Sequence, residues 1–261
     1  MPEPTRYSEE KKALNTLSTG EMAPISPDAH NLDVLAHAPR YNASLISDFS
    51  AACGRHAPRL VPMRTIVDFG AGLGTLTSQL GPMATTVIAI EPELAYHNAL
   101  QGKCVQVLTE LEQLTTRADA IFTSNVLEHI EDDQGVMRKL LDALKPGGLL
   151  FVYVPALPHL FSAMDAAVGH VRRYERLELD RKLRSAGFVI RTVEYRDCLG
   201  VPASWYLRAR GAAAAHPSVR AVRFYDKWLF PLSRRADLAG ARFFAGKNLM
   251  AVCSRPGGAD E

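Results

Sequence analysis

The sequence predicts a doubly wound α/β fold: a mostly parallel seven-stranded sheet with helices on both faces, an N-terminal helical arm, and a helical insertion before the last strand. Three observations carry this. Short β-branched runs alternate with segments of helical periodicity from residue 65 to residue 193, as βαβ units do. The first run breaks directly into a glycine-rich turn, Asp68-Phe69-Gly70-Ala71-Gly72-Leu73-Gly74. A last strand-like run at 248–253 follows a stretch of different character, residues 199–244, rich in Arg and aromatics.

The elements follow in order. Residues 1–30 are polar, carry Pro2, Pro4, Pro24 and Pro27, and read as an arm. From Leu32 to Cys53, the residues Leu32, Leu35, Tyr41, Leu45, Ile46 and Phe49 form an apolar stripe of helical spacing. Pro58 and Pro62 punctuate the chain before the first strand, Thr65 to Phe69, apolar enough to be covered on both faces. Thr75 to Leu80 reads as a helix, Thr86 to Ile90 as a second strand ending at Glu91-Pro92, and Glu93 to Leu100 as a helix. Short strands at Val105 to Val107 and Ala120 to Thr123 come next, then a helix from Gln134 to Leu144. Lys145-Pro146-Gly147-Gly148 stops that helix, with Gly147 placed for a left-handed cap. Strand Leu149 to Val154, helix Leu177 to Ala186 and strand Phe188 to Val193 complete the alternating series. The organisation is an arm and helical lid at 1–62, a ligand-binding core at 63–198, an insertion at 199–246 and a final strand with tail at 247–261. The insertion is either a helical pair packed for stability or a wall over a substrate; loops at one sheet edge usually carry specificity.

Length and composition agree with one large domain. The chain has 261 residues, 47% hydrophobic and 22% charged, which excludes a disordered polymer. The net charge of +2 hides an asymmetry: residues 170–261 hold 18 Lys and Arg against 9 Asp and Glu. Such a basic third suits an anionic substrate, an acidic surface or solvated helix faces. Cys53, Cys104, Cys198 and Cys253 form no CxxC pair and no metal-ligand spacing, so reduced thiols and a cytoplasmic protein are expected. The start of the chain lacks a signal-peptide core, and the longest apolar run, Leu149 to Leu157, falls short of the ~20 residues of a transmembrane helix.

Glycines after a buried strand expose backbone N–H groups at the carboxyl edge of the sheet, where ligands of such folds bind. Glu91 follows Gly70 by 21 residues, and a carboxylate there can accept both hydroxyls of a ribose. A nicotinamide-dependent oxidoreductase shares that spacing. Three features point elsewhere. The glycines are spaced as GxGxG and not GxGxxG. Asp68 would repel a diphosphate but attract a sulfonium and amino group. The third feature is the later pair of segments, Asn125-Val126-Leu127-Glu128-His129-Ile130 and Leu144-Lys145-Pro146-Gly147-Gly148.

Together these segments resemble the class I S-adenosylmethionine-dependent methyltransferases, over about residues 65–195. The resemblance implies a Rossmann-like core that uses S-adenosyl-L-methionine and releases S-adenosyl-L-homocysteine. It implies that Asp68, Gly70, Ala71 and Gly72 line the methionine part of the cofactor, that Glu91 grips the ribose, and that Pro92 and Thr109 lie near the adenine. It places Asn125 to His129, with Asn125 and Leu127 as cofactor contacts, beneath the methionine and sulfonium. Gly169-His170-Val171-Arg172-Arg173-Tyr174 is similar to a loop in a bacterial branch of these enzymes, some associated with glycans or secondary metabolites. In that branch an N-terminal aromatic such as Tyr41 closes over the cofactor; plain helix packing is its alternative.

Methyl transfer is an in-line displacement at the sulfonium carbon, so alignment and water exclusion dominate. His129 and His170 are the candidate bases, since an imidazole titrates near neutral pH. Each has a structural alternative: a loop hydrogen bond for His129, and for His170 a loop anchored by Arg172 and Arg173 to Glu175 or Glu178. With them, Arg173 is a candidate clamp for an anionic acceptor group and Tyr174 a candidate for orienting it. The leading expectation is a small-molecule acceptor, a secondary metabolite or a glycan- or lipid-linked intermediate, partly apolar or anionic. An RNA or DNA methyltransferase is the alternative within the fold, although Asn125 is followed by Val126 and no base-handling motif or nucleic-acid module is present. A non-catalytic cofactor-binding subunit is a further alternative, and the N-terminal arm is a candidate homo-oligomer contact.

Overall fold

The computed structural model describes residues 36–209 and 218–257. The arm, with any oligomer contact through it, and the start of the predicted first helix lie outside the described residues. Helix α1 spans Pro39–His56. Proline suits its first turn, where an N–H has no intrahelical partner. Its face of Leu45, Phe49, Ala52 and Cys53 is buried. Seven strands follow: β1 Met63–Phe69, β2 Ala84–Ile90, β3 Gln106–Leu108, β4 Ala118–Ser124, β5 Leu144–Pro155, β6 Val189–Arg196 and β7 Asn248–Ser254. The helices between them are α2 Thr77–Leu80, α3 Leu94–Leu100, α4 Asp133–Ala143, α5 Ala163–Ala167 and α6 Arg176–Ser185.

The strand order is β3-β2-β1-β4-β5-β7-β6. All pairs are parallel except the two made by β7, which runs antiparallel between β5 and β6. This is the predicted mostly parallel sheet, with its antiparallel strand at the last position. Because β1 lies between β2 and β4, the chain leaves β1 and β4 toward opposite sides and opens a crevice above their carboxyl ends.

Alternation along the strands builds two cores. Ile66, Phe122, Phe151 and Val252 face α1, where Phe49 packs edge-on against Phe122 and Phe151 at 5.4 and 5.6 Å. Burying a phenylalanine this fully contributes about 2–3 kcal/mol. Val67, Ile121, Leu150 and Ala251 point to the other face, against Met137 and Leu140 of α4 and Leu179 and Leu183 of α6.

The end of α4 differs in detail from the expectation. The helix stops at Ala143, and Lys145 to Gly148 form an irregular entrance to β5, between the pairs Ala118↔Leu144 and Ala120↔Leu149. Gly147 has φ 73°, the left-handed conformation its position called for. The helix-end carbonyls of Leu141, Asp142 and Leu144 accept from Arg255, a residue 111–114 positions away. A cation there complements the helix dipole.

The insertion contains α7 Gly200–Ala209 and, beyond residues that are not described, α8 Val219–Phe224 and α9 Phe230–Leu238. A π-helical turn, Tyr225–Leu229, joins α8 to α9. Asp226 in that turn is buried and accepts from the backbone N–H groups of Arg40 and Tyr41 at 3.1 and 2.8 Å. Asp226 thereby caps α1, whose own Ala38 offers no side-chain cap. Arg234 of α9 pairs with Asp48 of α1. All four cysteines are free. Among the described residues no helix is long and apolar enough to cross a membrane.

Candidate cofactor and acceptor site

The glycine turn leaves β1 at the crevice. Gly70 has φ 79°, and a Cβ built there would fall on the Val126 side chain. A bare backbone is therefore required on sterics as well as conformation. Gly70 and Ala71 donate to Ile90 O at 2.9 and 3.2 Å, which folds the turn over the end of β2. Asp68 is 3% exposed and accepts from Thr77 Oγ1 at 2.6 Å. Burial pushes its carboxyl up to about 6, against the hydrogen bond from Thr77 and with the negative charge of Glu91. Glu91 is buried too; its oxygens accept from Gly72 N at 2.7 Å and Glu93 N at 2.9 Å. Each oxygen retains a lone pair for a further donor.

These residues fit the sulfonium cofactor that the resemblance implies. The turn is a cradle that a side chain at Gly70 would fill. Two carboxyl groups, Asp68 and Glu91, lie where a diphosphate would be repelled and a cation with two hydroxyls would be held. Pro92 is exposed next to Glu91. Thr109 donates its N and Oγ1 to Gln113 Oε1 at 2.9 and 3.2 Å, which fixes the loop after β3 on the same edge.

Asn125 leaves β4 with φ 56° and donates its N–H to Tyr153 O at 2.8 Å. The Tyr41 hydroxyl lies beside Asn125, and its ring packs against Tyr153 at 6.0 Å and Phe230 at 5.5 Å. Tyr41 and Asn125, 84 positions apart, are thus brought together. Leu127 is fully buried; its side chain belongs to the core, and only its backbone belongs to the loop. The loop continues as a short 3-10 turn, Leu127–His129, which leaves His129 exposed.

His129 and His170, 41 positions apart on separate loops, meet edge to face with ring centroids 4.7 Å apart. His170 Nδ1 lies 3.0 Å from Asp165 Oδ1. Asp165 also accepts from Arg173 Nε at 2.9 Å, Arg173 Nη2 at 3.1 Å, and Ser162 N and Oγ at 2.8 Å. Burial opposes ionisation of Asp165, but His170, Arg173 and Ser162 outweigh it and hold the carboxyl well below its ordinary range. Glu128 sits behind His170 with 0% exposure, its Oε1 3.7 Å from His170 Nε2. Neither Glu128 oxygen has a hydrogen-bond partner. Burial pushes this carboxyl up to about 8, although Arg173 works against it.

Two expectations are corrected. Arg173 is 5% exposed and spends its guanidinium on Asp165 and on Ala156 O at 3.1 Å, so it braces the loop and does not reach out to an anion. Tyr174 is fully buried, and its hydroxyl donates toward Asp133 Oδ2 at 2.8 Å and lies 3.1 Å from Leu127 O. It locks the 125–129 loop from below. The loop's other anchor is Arg172, which pairs with Asp133 at 3.1 Å and with Glu131 O at 2.8 Å; Glu175 and Glu178 cap α6 instead. Asp165 and Glu128 went unassigned from the sequence. Asp165 carried one legible sign, the Ser162-x-x-Asp165 capping pattern that opens α5.

A family model described as a methyltransferase domain matches residues 34–193. A ubiquinone biosynthesis O-methyltransferase of Methylocella silvestris is 35% identical over 107 residues, covering 37% of this chain and 42% of that protein. A trans-aconitate 2-methyltransferase of Deinococcus radiodurans is 29% identical over 119 residues, covering 42% of this chain and 46% of its own length. The chain thus spans less than half the length of these relatives. A solved S-adenosylmethionine-dependent methyltransferase of Clostridium acetobutylicum shares the fold, with a TM-score of 0.52 over 97% of this chain and 100% of that one, at 10% identity.

Proposed function

Because this chain belongs to the methyltransferase-domain family, we propose that it transfers the methyl group of S-adenosylmethionine to an oxygen of a small-molecule acceptor. The donor lies along the glycine turn with its ribose on Glu91 and its adenine toward Pro92 and Thr109. Tyr41 and Asn125 close the methionine end. The acceptor enters at the His129–His170 corner. Its O–H proton passes to the imidazole of His129 or His170, the oxygen bonds to the methyl carbon as the C–S bond breaks, and the sulfide leaves as a neutral thioether.

The observation that carries this reading is the meeting at 4.7 Å of two imidazoles next to the crevice, His129 from the loop that leaves β4 and His170 from the loop between α5 and α6. Imidazoles suit proton removal near neutral pH. An oxygen acceptor is supported by the relative named as an O-methyltransferase, and a small molecule by both relatives' names. The basic, aromatic insertion at 199–244 suits a partly apolar, anionic acceptor.

Calorimetry tests the donor site. S-adenosylhomocysteine should bind the full chain with one site, and Gly70→Ala should weaken it at least tenfold, since the added Cβ meets Val126. Equal affinity in that variant would refute the placement. Methyl-labelled S-adenosylmethionine offered with hydroxylated aromatic and carboxylate acceptors should then label oxygen; label on nitrogen or carbon alone would refute the acceptor class.

A further inference from the structure

We propose that Glu128, His129 and His170 form a binding site for a divalent transition-metal cation, one with affinity for nitrogen as well as oxygen. One ligand atom from each of the three can be chosen so that all lie within 4.8 Å of one another.

The tautomer of His170 leads to this site. Asp165 is doubly bound by the Arg173 guanidinium, so toward His170 Nδ1, 3.0 Å away, it acts as an acceptor. The Nε2 of a neutral His170 therefore presents a lone pair. What it faces, 3.7 Å away, is Oε1 of Glu128. Two lone pairs pointed at each other in a dry interior repel unless a positive centre lies between them. Moreover, neither Glu128 oxygen has a hydrogen bond, although the residue is fully buried. A carboxyl group so placed is unfavourable unless a proton or a cation partners it. A cation bound between Glu128 and His170, with His129 as third ligand, supplies the positive charge that the Glu128 oxygens and the His170 lone pair face.

The surroundings match those of metal ligands. Carboxylate, histidine, then metal is the usual second layer of such sites: it fixes the ring and raises the basicity of its free nitrogen. Here Asp165 supplies the carboxylate, and Arg173 and Ser162 hold it in turn. Val171 N donates to Glu128 O at 2.9 Å, which ties the His170 loop to the ligand loop through the backbone. Two nitrogens and one carboxylate suit Zn2+, Mn2+, Co2+ or Fe2+; Ca2+ and Mg2+ prefer all-oxygen shells. Bonds of about 2.1 Å require the donors to close in by roughly an ångström. His129, the exposed member, supplies that movement.

Three protein ligands leave coordination positions open. If the reading of the acceptor site holds, the acceptor oxygen takes one of them, and the cation lowers its pKa so that its proton passes to bulk water. The imidazoles then serve as ligands, and the site selects acceptors with a hydroxyl or carboxylate oxygen. Cation binding itself does not depend on that reading.

The experiment uses the untagged full chain, stripped with chelator and dialysed. Co2+ is titrated by calorimetry and visible absorption, and Mn2+ by electron paramagnetic resonance. One equivalent of Co2+ should bind with micromolar or tighter affinity and d–d bands of a nitrogen–oxygen site. Glu128→Gln and His170→Asn should each weaken it at least tenfold, while His56→Ala, at the far end of α1, should match the parent. Should Glu128→Gln fail to fold, His129→Asn replaces it as the second ligand variant. No saturable uptake up to millimolar cation overturns the proposal and leaves a proton between Glu128 and His170. Uptake unchanged in both ligand variants overturns it as well. S-adenosylhomocysteine binding, measured on the same stripped protein, reports on the donor site alone, so failure of one reading is separable from failure of the other.

Discussion

Asp68 illustrates how a single buried acid can weigh on the stability of a fold. Its carboxyl is buried with one hydrogen bond from Thr77 and a second acid, Glu91, nearby. The folded state holds it at about 6, above the ~3.9 of an unfolded chain. Between those values the folded state binds more protons than the unfolded one, so this residue's contribution to stability falls as pH rises from 4 to 7. Two pKa units correspond to about 2–3 kcal/mol. Asp68→Asn should remove that dependence: the stability difference between variant and parent should shift toward the variant by about 2 kcal/mol between pH 4 and pH 7, read from urea midpoints. A parallel pair of profiles would count against a raised pKa. Asp68 was legible in the sequence because strand end, acid and glycines stand side by side. Glu128 and Asp165 were not. A Glu beside a His looks like any other, and only the fold reveals that its oxygens face a histidine nitrogen from a loop 42 residues away. Arg173 was misread for the same reason: the sequence displays its charge but not the carboxylate, eight positions earlier, that consumes it.

At the level of elements, β-strands were the most legible feature. Strands covered on both faces need unbroken apolar runs, and those runs stand out between glycines and charged helices; β1, β2 and β4 begin within two residues of the expected position. Helix ends were less legible because their partners are remote. The N-terminus of α1 is capped by Asp226, 185 positions later, and the C-terminus of α4 by Arg255. Asp226→Ala removes two hydrogen bonds to a helix start and a charge that favours its dipole. Loss of about 1–3 kcal/mol is expected in chemical denaturation. The same variant should loosen Tyr41, the residue capped, and raise the dissociation constant for S-adenosylhomocysteine several-fold. A change below 0.5 kcal/mol would mean that water replaces the cap.

Across the whole molecule, α1 and the insertion behave as one layer although residues 57–198 lie between them in sequence. Asp226 on the backbone of Arg40 and Tyr41, Arg40 on Lys227 O, and Arg234 on Asp48 join them. Native-state hydrogen exchange should therefore show α1 and residues 219–238 opening together, ahead of β1, β4 and β5. Arg234→Ala should speed exchange in both segments and leave the three strands unchanged. Acceleration in α9 alone would show that the two segments open independently.

The reversed direction of β7 has a consequence for how such a molecule can change over time. Since β7 runs against its neighbours, Asn248 pairs with both Pro155 and Arg196. The segment from Asp197 to Lys247 therefore departs from and returns to the same rim of the sheet, the one that carries the glycine crevice. Its length and composition can drift without disturbing the sheet, provided Asp226, Phe230 and Arg234 keep their contacts with α1. Such a segment can vary as a unit at one rim, and grafting it together with α1 between relatives would test whether it governs the acceptor while the strands of the sheet stay as they are.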